Sequence, residues 1–223
     1  MKITKHLGVI GAALVALMVV GATSASASAT ICTNDVAHQD SALCEGSHGK
    51  HVKVGTQLSA ALAPGTHASV TVTSSSGSTI RTVTLKKSTY SGKLTSTTGG
   101  GQLESLTFSE LESSGCSNVT AKAPRAGKTF PWSGTFTKTS GTDGLLHVTS
   151  PSFLFTATCL GISATCEYEA SSMTVTIKGG APAQHVVSAA TFHRIFGAEF
   201  ICGTFAHLTA TYNISTPSSL FVT

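Results

Sequence analysis

The sequence predicts an all-β chain: a two-sheet antiparallel β-sandwich, Ig-like or jelly-roll-like, stapled by disulfides. Three observations carry that expectation. Apolar residues alternate with polar ones at period 2 through most of the chain, and no helical stripe of ten or more residues interrupts them after the amino terminus. Clusters of Gly, Pro, Ser and Asp punctuate the alternation every ten to twenty residues or so, the spacing of turns in a sandwich or barrel. Six cysteines, an even number, all lie beyond residue 30.

Residues 1–29 read as a signal peptide. Lys2, Lys5 and His6 form a basic start, and residues 7–20 (LGVIGAALVALMVV) carry no charge. Small residues follow, with A-x-A cleavage sites ending at Ala27 or Ala29. The apolar run is shorter than the roughly 20 residues of a membrane span, so it predicts cleavage and no membrane span afterwards. Cys32 is preceded by Ile31 and Ala29, which does not suit lipidation. The carboxy terminus reads without an anchor signal. The expected location is therefore extracellular, by free secretion.

The expected mature chain, residues 30–223, fits one β domain. Removing Lys2 and Lys5 from the 14 basic residues leaves 12 against 10 acids, a net charge of +2. That balance excludes the dense basic stripe of a nucleic-acid binder. About three in ten of these residues are Ser or Thr, so hydroxyls more than charges must keep the surface wet.

Residues 30–50 lack alternation and read as a disulfide-stapled loop. Val70 and Val72 begin the first clear strand; residues 74–78 (SSSGS) turn the chain, and residues 80–85 return as its hairpin partner. Leu106 and Phe108 share a face, as do Trp132 and Phe136. Phe153, Phe155, Ala157 and Cys159 form the longest same-face set, followed by Met173, Val175 and Ile177. Leu208, Ala210, Tyr212 and Ile214 close the series. Ten to twelve strands are expected, rich in the β-branched residues that fit a pleated, half-buried surface. A transmembrane barrel would need an outward apolar band and aromatic girdles, for which ten Phe, three Tyr and one Trp are thinly placed.

In an oxidising compartment Cys32, Cys44, Cys116, Cys159, Cys166 and Cys202 predict three disulfides, for which sequence permits 15 connectivities. Nearest neighbours suggest Cys32–Cys44 and Cys159–Cys166, leaving Cys116–Cys202 by elimination. None of the spacings gives the C-x2–4-C pair of a zinc site.

The chain also resembles a group of small exported all-β proteins of unknown function from high-GC Gram-positive bacteria. The resemblance rests on residues 55–66 (GTQLSAALAPGT), residues 105–108 (SLTF) ahead of Cys116, Pro131-Trp132 and residues 209–212 (TATY). It implies a shared fold and carries over no activity or catalytic residue.

Candidate sites are few. Asp35, His38, Asp40, Glu45, His48 and His51 offer metal-ligand chemistry near the amino terminus, but the reading preferred is a solvated, disulfide-stapled loop. Glu110 with Glu112, and Glu167 with Glu169, would each share a strand face, as a glycan hydrolase requires of its acid and base. The few acids present serve a polar strand face without any chemistry. No G-x-S-x-G elbow or phosphate loop occurs. Asn118-Val119-Thr120 and Asn213-Ile214-Ser215 match the N-glycosylation pattern, as chance allows in so Ser/Thr-rich a chain. Lys86, Lys87, Tyr90 and Lys93 read as a loop patch able to meet a sugar or an anionic polymer. Phe192, His193, Arg194 and Phe196 form a second basic-aromatic group, and Trp132 reads as a core anchor. No catalytic, cofactor or metal residue is assigned. The expectation is a non-enzymatic binding module for an extracellular partner or cell-wall polymer, with a secreted glycan hydrolase as the alternative.

Overall fold

The computed structural model describes residues 29–122, 124 and 129–223. Residues 1–28 of the expected signal peptide lie outside them. No helix among the described residues is long and apolar enough to cross a membrane.

The period-2 segments form antiparallel strands throughout, as the sequence predicts, and sixteen are described in place of ten to twelve. Three short strands, Ile31–Thr33 (β1), Gln39–Leu43 (β2) and Lys50–Val52 (β3), precede Gln57–Leu62 (β4) and Ala68–Thr73 (β5). Two long strands follow, Thr79–Leu94 (β6) and Gly100–Ser113 (β7). Six shorter ones come next: Cys116–Lys122 (β8), Trp132–Lys138 (β9), Gly144–Thr149 (β10), Ser152–Cys159 (β11), Ile162–Glu169 (β12) and Ser172–Lys178 (β13). Gln184–Phe196 (β14), a single-turn helix Glu199–Cys202 (α1), Phe205–Thr216 (β15) and Phe221–Val222 (β16) complete the chain.

Twelve of these strands, β4 to β15, form one antiparallel sheet that closes on itself. The four long strands β6, β7, β14 and β15 run its full height. The other four positions are each filled by two strands in line, β4 then β5, β8 then β9, β10 then β11, and β12 then β13. Four whole and four split positions make eight, and each position neighbours the next in chain order. The last, β15, pairs with both β4 and β5 to close the ring. The expected sandwich faces are thus joined along both edges, and the connectivity is a meander. Breaks in the split positions coincide with turn chemistry. Pro64-Gly65 separates β4 from β5, and Ser150, with φ of 50°, precedes Pro151 between β10 and β11.

Inward residues are apolar and outward ones carry hydroxyls. In β13, Met173, Val175 and Ile177 are buried while Ser172, Thr174, Thr176 and Lys178 are exposed. This is the reverse of the pattern that a lipid-facing barrel presents. Each mouth of the barrel is plugged. At one end β16, β1, β3 and β2 form a small sheet that buries Ile31, Val52, Leu220 and Val222. Residues 30–50 therefore contribute strands as well as the stapled loop read from their composition. There the described chain meets itself, because Thr30 and Thr223 exchange backbone hydrogen bonds of 2.8 and 2.9 Å. At the other end α1 buries Ile201 and Cys202.

Three disulfides are present: Cys32–Cys44, Cys116–Cys159 and Cys166–Cys202. The first is the expected pair; the other two replace Cys159–Cys166 and Cys116–Cys202. Strand register explains the correction. Cys159 lies opposite Ile162 in the β11–β12 hairpin, and Cys166 is four residues further on, opposite Phe155. That offset is about 13 Å along the strand, beyond the roughly 7 Å a disulfide tolerates. On its other side Cys159 lies directly opposite Cys116.

Candidate functional site at the barrel waist

Among the described residues, the wall of the barrel opens where β7 meets its split neighbour. Gly100–Leu103 of β7 pairs with β9, and only Ser113 pairs with β8, opposite Cys116. Among the described residues no strand pairs with that edge of β7 in between. Two left-handed residues mark the parting, Glu110 (φ 54°) in β7 and Asn118 (φ 52°) in β8. Asn118 falls at the β8–β11 register shift, and a bulge there bends the strand and re-aims it. Beyond Asn118, β8 follows β11 and leaves β7.

The gap is a cavity of about 280 Å³ with an aromatic lining. Trp132 and Phe153 are buried at its floor, and Phe108 and Phe130 are half-buried on its walls beside Leu106. Exposed Thr107 and Lys122 stand at the rim with Pro124, and Ser152 adds a buried polar group. The Phe130 and Trp132 rings lie 4.2 Å apart at 30°. Phe108 is 5.9 Å from Phe155, which leads through Phe153 to Phe192 in the core. The walls are therefore held by core packing. Flat apolar faces below a polar rim suit a ring with one apolar face and hydroxyl edges.

Behind the cleft, Leu106 and Trp132 also border the interior of the lower half of the barrel. Its polar groups are few. The Tyr90 hydroxyl bonds to His185 Nδ1, and the Ser88 and Tyr212 hydroxyls are 2.9 Å apart. His185 Nε2 has no hydrogen-bond partner. Burial lowers the His185 pKa to about 4 and pushes Tyr90 well up. Burial also raises Tyr212 to about 12, against the lowering effect of its bond to Ser88.

The residues singled out from sequence are placed elsewhere. Lys86, Lys87, Tyr90 and Lys93 belong to strand β6, not to a loop. Tyr90 is buried, on the opposite face of the sheet from Lys87 and Lys93. Lys86 pairs with Glu112 and Lys87 with Glu110, and Lys93 lies 2.9 Å from Glu104. Those contacts form a neutral ladder across the β6–β7 surface. Phe192 is fully buried, and Arg194 turns inward to the carbonyls of Gly203 and Gly197. His193 meets Phe205, 5.0 Å away, and Phe196 is exposed. Trp132 is the core residue its sequence context predicts.

Glu110 and Glu112 are engaged by lysines, Glu167 is buried and Glu169 half-buried, and both of the latter have partners. Near the amino terminus, Asp35 caps a 3-10 turn through Ala37 and accepts from the Ser218 amide. That amide bond is the main reason the carboxyl is held below its ordinary pKa. His48 packs on Phe221, 5.1 Å away. Among the described residues no three His, Cys, Asp or Glu side chains gather where a metal would sit.

Phe108, Phe130 and Phe153 were not marked as site residues by the sequence. Their alternation reads as core, and only the proline-flanked break before Trp132 hints that the wall is interrupted there. No protein-family model, curated protein or solved structure matches this chain.

Proposed function

We propose that this is a secreted, non-enzymatic binding module that holds a polysaccharide of the cell wall or extracellular matrix at its waist cleft. The single observation behind this reading is the aromatic lining of the cleft under the Thr107–Lys122 rim. Aromatic faces cover the apolar side of a pyranose, while hydroxyls and a lysine serve its edges and any attached anion. Three disulfides and an amino-terminal segment that reads as a signal support an extracellular setting. The hydrolase alternative is less well supported, because Glu110 and Glu112 are ion-paired on the outer surface and Glu167 and Glu169, buried and half-buried, also have partners.

The test is depletion of the oxidised protein, residues 30–223, by insoluble polysaccharides and isolated wall sacculi. Saturable depletion by one matrix is expected. Phe130→Ala should weaken it roughly fivefold, equivalent to about 1 kcal/mol of ring stacking. Lys122→Ala should weaken it mainly on anionic matrices. Saturable binding that is indifferent to both substitutions moves the site away from the cleft, and no depletion by any matrix rejects the polysaccharide.

A further inference from the structure

We propose that Cys116–Cys159 is a thiol–disulfide exchange site, the one bridge of three that a dithiol opens in the folded protein, with Arg81 stabilising the departing thiolate.

Accessibility comes first. Cys116 is the only one of the six cysteines that is not buried. The bridge borders the barrel interior beside Arg81, and Cys116 is its partly exposed end, the side from which a thiolate would approach, whereas both residues of Cys32–Cys44 and of Cys166–Cys202 are buried. Exchange requires in-line access to one sulfur of the bridge.

The leaving group is prepared by a cation. Arg81, in β6, directs its guanidinium at both sulfurs of this bridge. Among the described residues no carboxylate pairs with Arg81, and its buried Nε lacks a hydrogen-bond partner. Burial disfavours the guanidinium charge. A thiolate appearing beside it supplies the missing counter-charge, and a neighbouring Arg lowers the pKa of a thiol.

The scaffold tolerates the opening. Cys116 and Cys159 are opposite residues on β8 and β11, and those strands remain paired down to Lys122 and Leu154. Cutting the bridge releases no segment. Cys166–Cys202, by contrast, ties the helix α1 to β12.

The reaction balances as a two-electron exchange. A thiolate of the dithiol attacks Cys116 Sγ, the S–S bond breaks, and Cys159 leaves as a thiolate beside Arg81. The second thiol of the reagent attacks the mixed disulfide and releases Cys116. The reagent ends as a cyclic disulfide, and its two protons pass to the two cysteines. A partner protein with a single reactive thiol would stop at the mixed disulfide and stay tethered to Cys116.

The experiment exposes the oxidised protein to dithiothreitol without denaturant, traps free thiols with iodoacetamide at intervals, and maps the labelled cysteines. Cys116 and Cys159 should label first, about tenfold or more ahead of the other four. Arg81→Met should slow their opening about three- to tenfold, and Arg81→Lys should retain most of the wild-type rate. A urea midpoint for each variant separates this effect from unfolding. Earlier or simultaneous labelling of another pair overturns the proposal, and the wild-type chain alone suffices to show it. An unchanged rate in a folded Arg81→Met variant removes the role given to the guanidinium.

Discussion

A buried imidazole is tolerated while it is neutral, and His185 is buried between Tyr90 and the apolar interior of the barrel. Its folded pKa is about 4, against 6.5 for the free side chain. Between those values the unfolded chain takes up a proton that the folded chain refuses. Stability is therefore full above about pH 6.5 and falls as the pH drops towards 4, by about 3 kcal/mol in all. Urea midpoints from pH 7 to pH 4 should trace that slope, and His185→Gln should flatten it. Asp35 acts lower on the scale: its depressed pKa stabilises the fold above the ordinary carboxyl range, and that contribution is lost as the pH falls through its folded value. At this scale the sequence was partly legible. Trp132 announced itself as core, whereas Tyr90 did not, because Lys86 and Lys87 are both exposed and shift the alternation by one. The shift lies opposite left-handed Glu110, a backbone property that no side-chain pattern displays.

At the level of the element, long strands were harder to read than short ones. The outward positions of β6 carry Thr, Lys and Ser, and a run such as Lys86-Lys87-Ser88-Thr89 resembles a loop. Only pairing with β7 along almost its whole length makes it a strand. Gly92 shows how tight that pairing is. It stands at a register shift, and a Cβ there would lie 2.4 Å from the Gln102 carbonyl oxygen. Gly92→Ala must push β6 from β7 and should cost about 1–3 kcal/mol by urea unfolding. Disulfide partners were illegible for a related reason. Pairing follows register and neighbouring strands, and Cys116 sits where β8 lies between β7 and β11, opposite Ser113 on one side and Cys159 on the other.

For the molecule as a whole, alternation and turn spacing disclosed an all-β, disulfide-stapled chain, while closure stayed hidden. The ring is sealed by β15 against β4 and β5, partners well over a hundred residues apart, and nothing local encodes that contact. The cleft was hidden by the same logic. Phe108 and Phe153 belong to ordinary core stripes, and they border a cavity because, among the described residues, one split position of the ring leaves part of β7 unpaired. What sets the candidate site apart from the core is an edge left unpaired among the described residues rather than a kind of residue.

The backbone bonds between Thr30 and Thr223 carry a consequence for how the polypeptide could be cut. Thr30 and Thr223 already meet in space, so residues 30–223 should fold wherever that span is opened. A circular permutant that joins Thr223 to Thr30 through a few glycines, with new ends in the exposed Ser74–Ser78 turn, should form the same three disulfides. Its urea midpoint should stay close to that of the parent. Loss of the fold would mean that the order of the strands along the chain matters; retention would show that the span 30–223 behaves as a closed circle of strands.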